Sequence, residues 1–208
     1  MRSGRGCARG WGFGLFMGAL VCASLAIAQE DGEFSEAERQ QLRAGELVAR
    51  HVTRNEAGYH YTGGTSWQRV SAPIDEVWQK VLDVRAYPRL IPALASVRMI
   101  EDRDQERILR MEHRYSFAAA TYFARVHIDQ EHRSLRFDLD RSRPHDLRAG
   151  RGYLSLSEYH GDTIVTWGVL ADLGGGMAFE MFGPLVREWL LAVPRCVRDA
   201  MEIPGGGC

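Results

Sequence analysis

The stretch RILRMEHRYSF, residues 107–117, alternates between apolar and polar side chains at every second position. Leu109, Met111, His113, Tyr115 and Phe117 fall on one face of an extended chain, because successive side chains of a strand point to opposite faces. A period of two over this length indicates a β-strand with one face in the core and the other in water. The stretch therefore predicts an antiparallel sheet, the kind that commonly keeps one face wet.

The same alternation recurs four times further along the chain, in runs separated by short polar turns. Among the apolar positions that these runs place on one face are Tyr122, Val126, Phe137, Leu154, Leu156 and Trp167. Two earlier strands are expected at 47–53 and 66–72. The residues between them, 55–64, are interpreted as a turn because they contain Asn55 and the pair Gly63-Gly64.

Helical spacing appears at two places in the sequence. After Pro73, an apolar stripe predicts a first helix, formed by Val77, Trp78, Val81 and Leu82. A second stripe, which includes Met181, Leu185 and Trp189, predicts a long helix over about 178–202. Pro194 should kink this helix, because proline has no N–H to donate.

These elements predict an α+β fold, a curved antiparallel sheet whose apolar face is covered by the C-terminal helix. A helix about 10 Å across cannot fill a strongly curved sheet, so we expect a cavity between the two. Apolar cavities are the usual sites for small ligands. The residues expected to line this one are Leu109, Met111, His113, Tyr115, Phe117, Tyr122, Val126, Phe137, Trp167, Met181, Phe182, Leu185 and Trp189.

The first 28 residues have the pattern of a secretory signal peptide. Arg2, Arg5 and Arg9 are followed by an uncharged run over 11–28 that ends in Ala26-Ile27-Ala28. A basic start, an apolar stretch and small residues at the cleavage site define such a signal, and we expect cleavage after Ala28. The alternative is an uncleaved membrane anchor, since 18 uncharged residues are just enough to span a bilayer. The sequence therefore predicts an exported protein, periplasmic or secreted.

The remaining chain is expected to contain one domain. The full chain has a net charge of -1, which gives no electrostatic footprint for nucleic acid. We assign 29–45 to a polar segment in which Ser35 and Glu38 cap a short helix, 46–203 to the domain and 204–208 to a flexible glycine-rich tail. An exported compartment permits a Cys196–Cys208 disulfide, and the alternative is a buried Cys196 with a frayed terminal cysteine.

No motif for metal binding or nucleophilic catalysis is present in the sequence. The seven histidines show neither H-x-x-x-H nor H-E-x-x-H spacing, and G-x-S-x-G and phosphate-loop patterns are absent. We therefore expect no catalytic residue, no metal and no cofactor. His113, the one strongly polar residue on an apolar face, has three interpretations: a hydrogen-bonded core residue, a group that orients a ligand, or a general acid/base.

The segment from Val70 to Trp78, followed by Leu82-Asp83, Tyr87-Pro88 and Pro92, resembles the opening signature of the START-like superfamily, also called SRPBCC or birch-allergen-like. Gly152-x-Leu154-x-Leu156 and Thr163-x-Val165-x-Trp167 are similar to its last two strands. Within the superfamily, the chain looks most like the coenzyme-Q-binding START-type and polyketide-cyclase-like branch. The resemblance implies a helix-grip fold, with seven antiparallel strands around a long C-terminal helix and a hydrophobic cavity.

Three functions remain open from the sequence. The first is an exported carrier of a hydrophobic molecule, whether lipid-like, quinone-like or polycyclic, which would exchange its ligand by transient contact with a membrane. The second is a cyclase or dehydratase acting on a polyketide-like substrate. The third is a structural or interaction domain with a filled core. The carrier hypothesis is favoured because no set of catalytic groups converges.

Overall fold

Residues 107–115 form one arm of a long hairpin in the computed structural model. The model describes residues 33–115, 118–174 and 186–208, without the side chains of Tyr115 and Ala118. The first arm is β4 (Glu106–Tyr115) and the second is β5 (Ala118–Asp129), paired so that Leu109 faces Ala124. The face predicted to be apolar is the buried one, since Leu109 and Met111 are 1% and 5% exposed.

Eight antiparallel strands form the sheet, in the order β1-β2-β8-β7-β6-β5-β4-β3. The other six strands are β1 (Val48–Glu56), β2 (Tyr59–Val70), β3 (Leu94–Arg103), β6 (Ser134–Leu139), β7 (Ala149–Tyr159) and β8 (Asp162–Asp172). The helices among the described residues are α1 (Glu36–Arg43), α2 (Ile74–Leu82), α3 (Tyr87–Leu90), α4 (described over 186–191) and α5 (Val193–Glu202), with a 3-10 turn at Val84–Ala86. This is the helix-grip fold.

The strand count of seven needs correction to eight, and β3 is the strand that the sequence pattern missed. β3 lies at one edge of the sheet, where Leu94 is its one buried residue and both faces are otherwise mostly exposed. A strand that is exposed on both faces carries no alternation of apolar and polar residues. Its pairing with β4 rather than its own side chains therefore defines it.

The turn expected over 55–64 is wrong for most of that range. The turn consists of Ala57 and Gly58 alone, and β2 begins at Tyr59 and runs through the two glycines. Gly63 has a φ of +151°, and a Cβ there would collide with the carbonyl oxygen of Val169 on β8. Glycine here permits close approach of two backbones inside a strand. Because glycine is also common in turns, the sequence alone does not distinguish the two roles.

The core lies between the concave face of the sheet and helices α2 and α5. Val77, Trp78 and Val81 of α2 are buried there, as their spacing predicted, together with Val193 and Val197 of α5. On the opposite face α1 packs over β1 and β2. Its capping box is the one predicted, with the Ser35 hydroxyl accepting from the Glu38 amide at 3.2 Å.

The C-terminal helix is interrupted near Pro194. In the described part of the segment, residues 186–191 are helical, Ala192 is not, and α5 begins at Val193 with the proline in its first turn. The first part of the expected range, 178–185, lies outside the described residues. Proline suits the first turn of a helix because the N–H it lacks has no partner there.

Candidate functional site

A cavity of about 420 Å³ lies between the concave face of the sheet and the helices α3, α4 and α5. This volume is within the range of about 300–1,000 Å³ that is usual for ligand sites. Strands β4 to β8 contribute most of the wall, because each turns its apolar face inward. Side chains from this face include Leu109, Met111, Ala124, Val126, Leu135, Phe137, Leu154, Trp167 and Val169.

Eight of the thirteen residues expected from the sequence line this cavity. They are Leu109, Met111, His113, Tyr122, Val126, Phe137, Trp167 and Trp189. Phe117, Met181, Phe182, Leu185 and the side chain of Tyr115 lie outside the described residues. The strand residues among them lie on the apolar face that each strand turns toward the cavity.

One wall of the cavity was missed in the sequence. Tyr87, Leu90, Ile91, Pro92 and Ala93, in and just after α3, all line the cavity. The sequence marked this segment as a short proline-bounded apolar turn, but four residues of helix have too little periodicity to show which side faces inward. The excess of apolar residues in so short a segment was the available signal.

His113 and Tyr122 form a polar pair in the cavity wall. The Nε2 atom of His113 lies 3.0 Å from the hydroxyl oxygen of Tyr122, and their rings stack with centroids 5.6 Å apart. Burial lowers the pKa of His113, because desolvation disfavours the imidazolium, and a hydrogen bond with the Pro92 backbone opposes this effect. Burial also raises the pKa of Tyr122. Both side chains are therefore neutral near pH 7.

Three of the four charged residues that border the cavity in the described structure, Arg114, Asp146 and Arg151, have partners elsewhere. Arg151 makes an ion pair with Glu56 at 2.7 Å, and the Arg114 guanidinium contacts Glu112. The Asp146 carboxylate accepts a hydrogen bond from the Thr121 amide at 2.7 Å. Among the described residues, no three His, Cys, Asp or Glu side chains come close enough together to hold a metal ion. The described wall is thus mainly apolar, and both arginines at its border are paired with glutamates.

Trp167 fixes the helical cover of the cavity to the sheet. Its indole nitrogen donates to the carbonyl oxygen of Leu190 at 2.7 Å. In a continuous helix that carbonyl would accept from the N–H four residues later, but residue 194 is proline. The tryptophan on β8 therefore satisfies the carbonyl that the proline leaves without a donor, and it also stacks on Phe137 with centroids 4.8 Å apart.

The C-terminal tail holds α3, and thereby one wall of the cavity. Cys196 of α5 and Cys208 form a disulfide, with Cα atoms 4.9 Å apart. The Cys208 amide donates to the Arg89 carbonyl at 2.8 Å, and the Arg89 side chain donates to the Gly206 carbonyl at 3.1 Å. A Cβ on Gly207 would collide with the Arg89 carbonyl.

Of the two alternatives for the cysteines, the structure contains the disulfide. The tail is attached covalently to α5 and through hydrogen bonds to α3. Its glycines serve close packing, because a side chain at Gly207 has no room.

The predicted signal peptide, residues 1–28, lies outside the described residues. Among the residues that the structure does describe, no helix has the length and apolar character needed to cross a bilayer.

Comparison with protein families gives one match that covers more than half of the chain. The family described as polyketide cyclase / dehydrase and lipid transport matches residues 70–192. The chain belongs to this family. As a member of the polyketide cyclase / dehydrase and lipid transport family, it matches from the last residue of β2 to the break between α4 and α5. This range includes nearly the whole cavity wall.

Solved structures share the fold at low sequence identity. A STAR-related lipid transfer protein from Xanthomonas axonopodis has a TM-score of 0.58 at 14% identity, over 82% of this chain and 96% of that one. The Zhui aromatase/cyclase from Streptomyces sp. R1128 has a TM-score of 0.51 at 17% identity, over 76% and 99%. A START superfamily protein from Mycobacterium smegmatis has a TM-score of 0.50 at 13% identity, over 75% and 97%. A comparison with curated proteins finds no match.

Proposed function

We propose that this member of the polyketide cyclase / dehydrase and lipid transport family is an exported carrier that holds a hydrophobic small molecule in the cavity. The observation that carries the proposal is the cavity itself, about 420 Å³ in volume and lined mainly by apolar side chains. Apolar space that is left open inside a folded domain forgoes packing contacts, which a bound hydrophobic molecule restores. The lipid-transport part of the family description supports the same conclusion.

The chemistry of the cavity wall favours binding over catalysis. The polar pair that the structure describes, His113 and Tyr122, consists of two neutral side chains that already satisfy each other. A cyclase or dehydratase needs groups that exchange protons with the substrate, with pKa values near the working pH. Burial moves the pKa of Tyr122 upward, away from that range. We therefore favour the carrier over the enzyme.

Export is supported by two features of the chain. Residues 1–28 have the sequence pattern of a cleaved secretory signal. The Cys196–Cys208 disulfide is of a kind that persists in oxidising compartments and is rare in the cytosol. In such a compartment the carrier would exchange its ligand by transient contact with a membrane. Sequencing the N-terminus of protein from the exported fraction tests the proposal, which expects Gln29 as the first residue.

The experiment that tests the carrier function is native mass spectrometry of protein purified from the exported fraction, followed by extraction with organic solvent. We expect a mass above that of the processed chain, which denaturation removes, and a hydrophobic compound in the extract. Titration of the purified protein with the neutral fluorophore N-phenyl-1-naphthylamine should also show saturable binding. Absence both of a bound compound and of fluorophore binding would contradict the proposal.

A further inference from the structure

Tyr87 is the polar residue of the described cavity wall whose hydroxyl has no hydrogen-bond partner among the described residues. It begins α3 and lines the cavity together with Leu90. The other polar rings that line the cavity have partners: His113 and Tyr122 bond to each other, and the Trp167 indole bonds to a main-chain carbonyl. Tyr87 thus adds an O–H group without a described hydrogen bond to a mainly apolar lining.

The Tyr87 hydroxyl is protonated near neutral pH. Burial raises its pKa to about 12, and the charge of Asp83 adds to this effect while that of Arg107 opposes it. A protonated phenol donates one hydrogen bond and can also accept. An apolar ligand that covers this hydroxyl would leave it without a partner, which is unfavourable, so a ligand that supplies an oxygen atom at this position gains affinity over one that does not.

The backbone that carries Tyr87 is held in place on both sides of α3's first turn and by the C-terminal tail. Pro88 restricts the first turn of α3, and Arg89 is held by hydrogen bonds with Gly206 and Cys208 of the tail. The disulfide anchors that tail to α5. A backbone that is already held before binding loses little conformational freedom when the ligand arrives, which favours selective recognition.

The charges around the cavity limit the kind of oxygen that can bind. Arg114 and Arg151 border the cavity, and both are paired with glutamates. The described lining therefore contains no cation without a carboxylate partner. Asp146 adds a negative charge at the border. A ligand carboxylate would have to lose its hydration without gaining a counter-ion, which is strongly unfavourable.

We infer that Tyr87 binds the oxygen atom of an uncharged ligand, a carbonyl or a hydroxyl group on a hydrophobic skeleton, and that the cavity discriminates against carboxylates of the same skeleton. The inference rests on the proposed function, because it requires that the cavity bind a ligand. It adds the chemical class of that ligand and the residue that selects it.

The test uses isothermal titration calorimetry with three compounds of one skeleton, naphthalene, 2-naphthol and 2-naphthoate, at about pH 7. For the wild type we expect 2-naphthol to bind roughly 3- to 10-fold more tightly than naphthalene, the gain from one hydrogen bond. We expect 2-naphthoate to bind more weakly than both. In Tyr87→Phe, which removes only the hydroxyl oxygen, naphthalene should bind as in the wild type and the advantage of 2-naphthol should disappear.

The matched control is Tyr59→Phe, which removes the same atom from a tyrosine that does not line the cavity and whose hydroxyl accepts from Arg141. This variant should keep the preference for 2-naphthol. The inference is overturned if Tyr87→Phe retains that preference, or if 2-naphthoate binds wild type as tightly as 2-naphthol. Binding of naphthalene without any preference would overturn the inference and leave the proposed function intact, whereas failure of all three compounds to bind would overturn both.

Discussion

The indole nitrogen of Trp167 lies 2.7 Å from the carbonyl oxygen of Leu190, and this contact joins the sheet to the helical cover of the cavity. The carbonyl is available because residue 194 is proline and cannot donate to it. A break in a helix thus becomes an attachment point for a side chain on β8. The two residues are 23 positions apart in sequence, so the local sequence around either residue does not predict the contact.

We predict that Trp167→Phe destabilises the protein by about 1–3 kcal/mol from the lost hydrogen bond, in addition to the cost of the smaller ring. In a Pro194→Ala background the same substitution should cost less, because the N–H of residue 194 can then bond to Leu190. Urea denaturation of the four proteins measures this coupling. Additive effects of the two substitutions would show that the proline does not create the need for the tryptophan.

Much of the fold could be predicted from the alternation of side chains. In strands such as β4, where Leu109 and Met111 face inward, the alternation of apolar and polar residues indicates the apolar face directly. β3 could not be found in this way, because its residues are mostly exposed on both faces and pairing alone defines it. Gly63 was misleading because glycine serves both turns and close backbone contacts, and only the partner strand distinguishes the two.

The site was predictable where it is built on strands and not where it depends on tertiary contacts. His113 and Tyr122 stand on adjacent strands, and their shared face could be read from the sequence. The α3 wall could not, because Tyr87 faces the cavity through the docking of a very short helix. That docking depends on Arg89 and the C-terminal tail, which a local pattern cannot show.

The disulfide should contribute measurably to stability. Replacing both cysteines, Cys196→Ser with Cys208→Ser, should lower the free energy of unfolding by about 3 kcal/mol, since the bond closes a short loop. It should also weaken binding of N-phenyl-1-naphthylamine, because the tail holds α3 against the cavity. Denaturation and fluorescence titration with and without reductant provide the measurement. If reductant changes the double variant as much as wild type, the effect does not come from this bond.

Two tryptophans should separate folding from binding. Trp78 is 2% exposed and its indole donates to Gln130 at 2.8 Å, so Trp78→Ala should cost about 3–5 kcal/mol. Trp189 is half-buried and borders the cavity, so Trp189→Ala should cost less and should reduce fluorophore binding more. Chemical denaturation and fluorophore titration of both variants test this order. If Trp189→Ala destabilises the protein as much as Trp78→Ala does and leaves fluorophore binding unchanged, the place of Trp189 in the cavity wall is contradicted.

The buried histidine predicts a particular dependence of stability on pH. The pKa of His113 in the folded protein lies below its usual value of 6.5, because of burial, so the unfolded chain takes up a proton more readily as the pH falls. Stability that is present above about pH 6.5 is lost as the pH falls toward the folded-state pKa. His113→Gln should remove this loss.

The comparison is the free energy of unfolding of wild type minus that of His113→Gln, measured from about pH 7 to pH 5. This difference should decrease as the pH falls. His132, whose pKa Asp129 raises, is present in both proteins, so its contribution cancels. Parallel profiles for the two proteins would show that His113 gains its proton equally well in the folded state.

The central claim is that the cavity is where the hydrophobic ligand binds, and filling it is the most direct test. Ala124 lines the cavity from β5, so the ring of Ala124→Phe should enter the open space. The control is Ala49→Phe, which adds the same ring at an exposed position on β1. Titration with N-phenyl-1-naphthylamine, alongside thermal melting, should show binding weakened at least roughly 10-fold in Ala124→Phe, equivalent to 1.4 kcal/mol, and unchanged in Ala49→Phe. A folded Ala124→Phe protein that binds the fluorophore as tightly as wild type would contradict the claim.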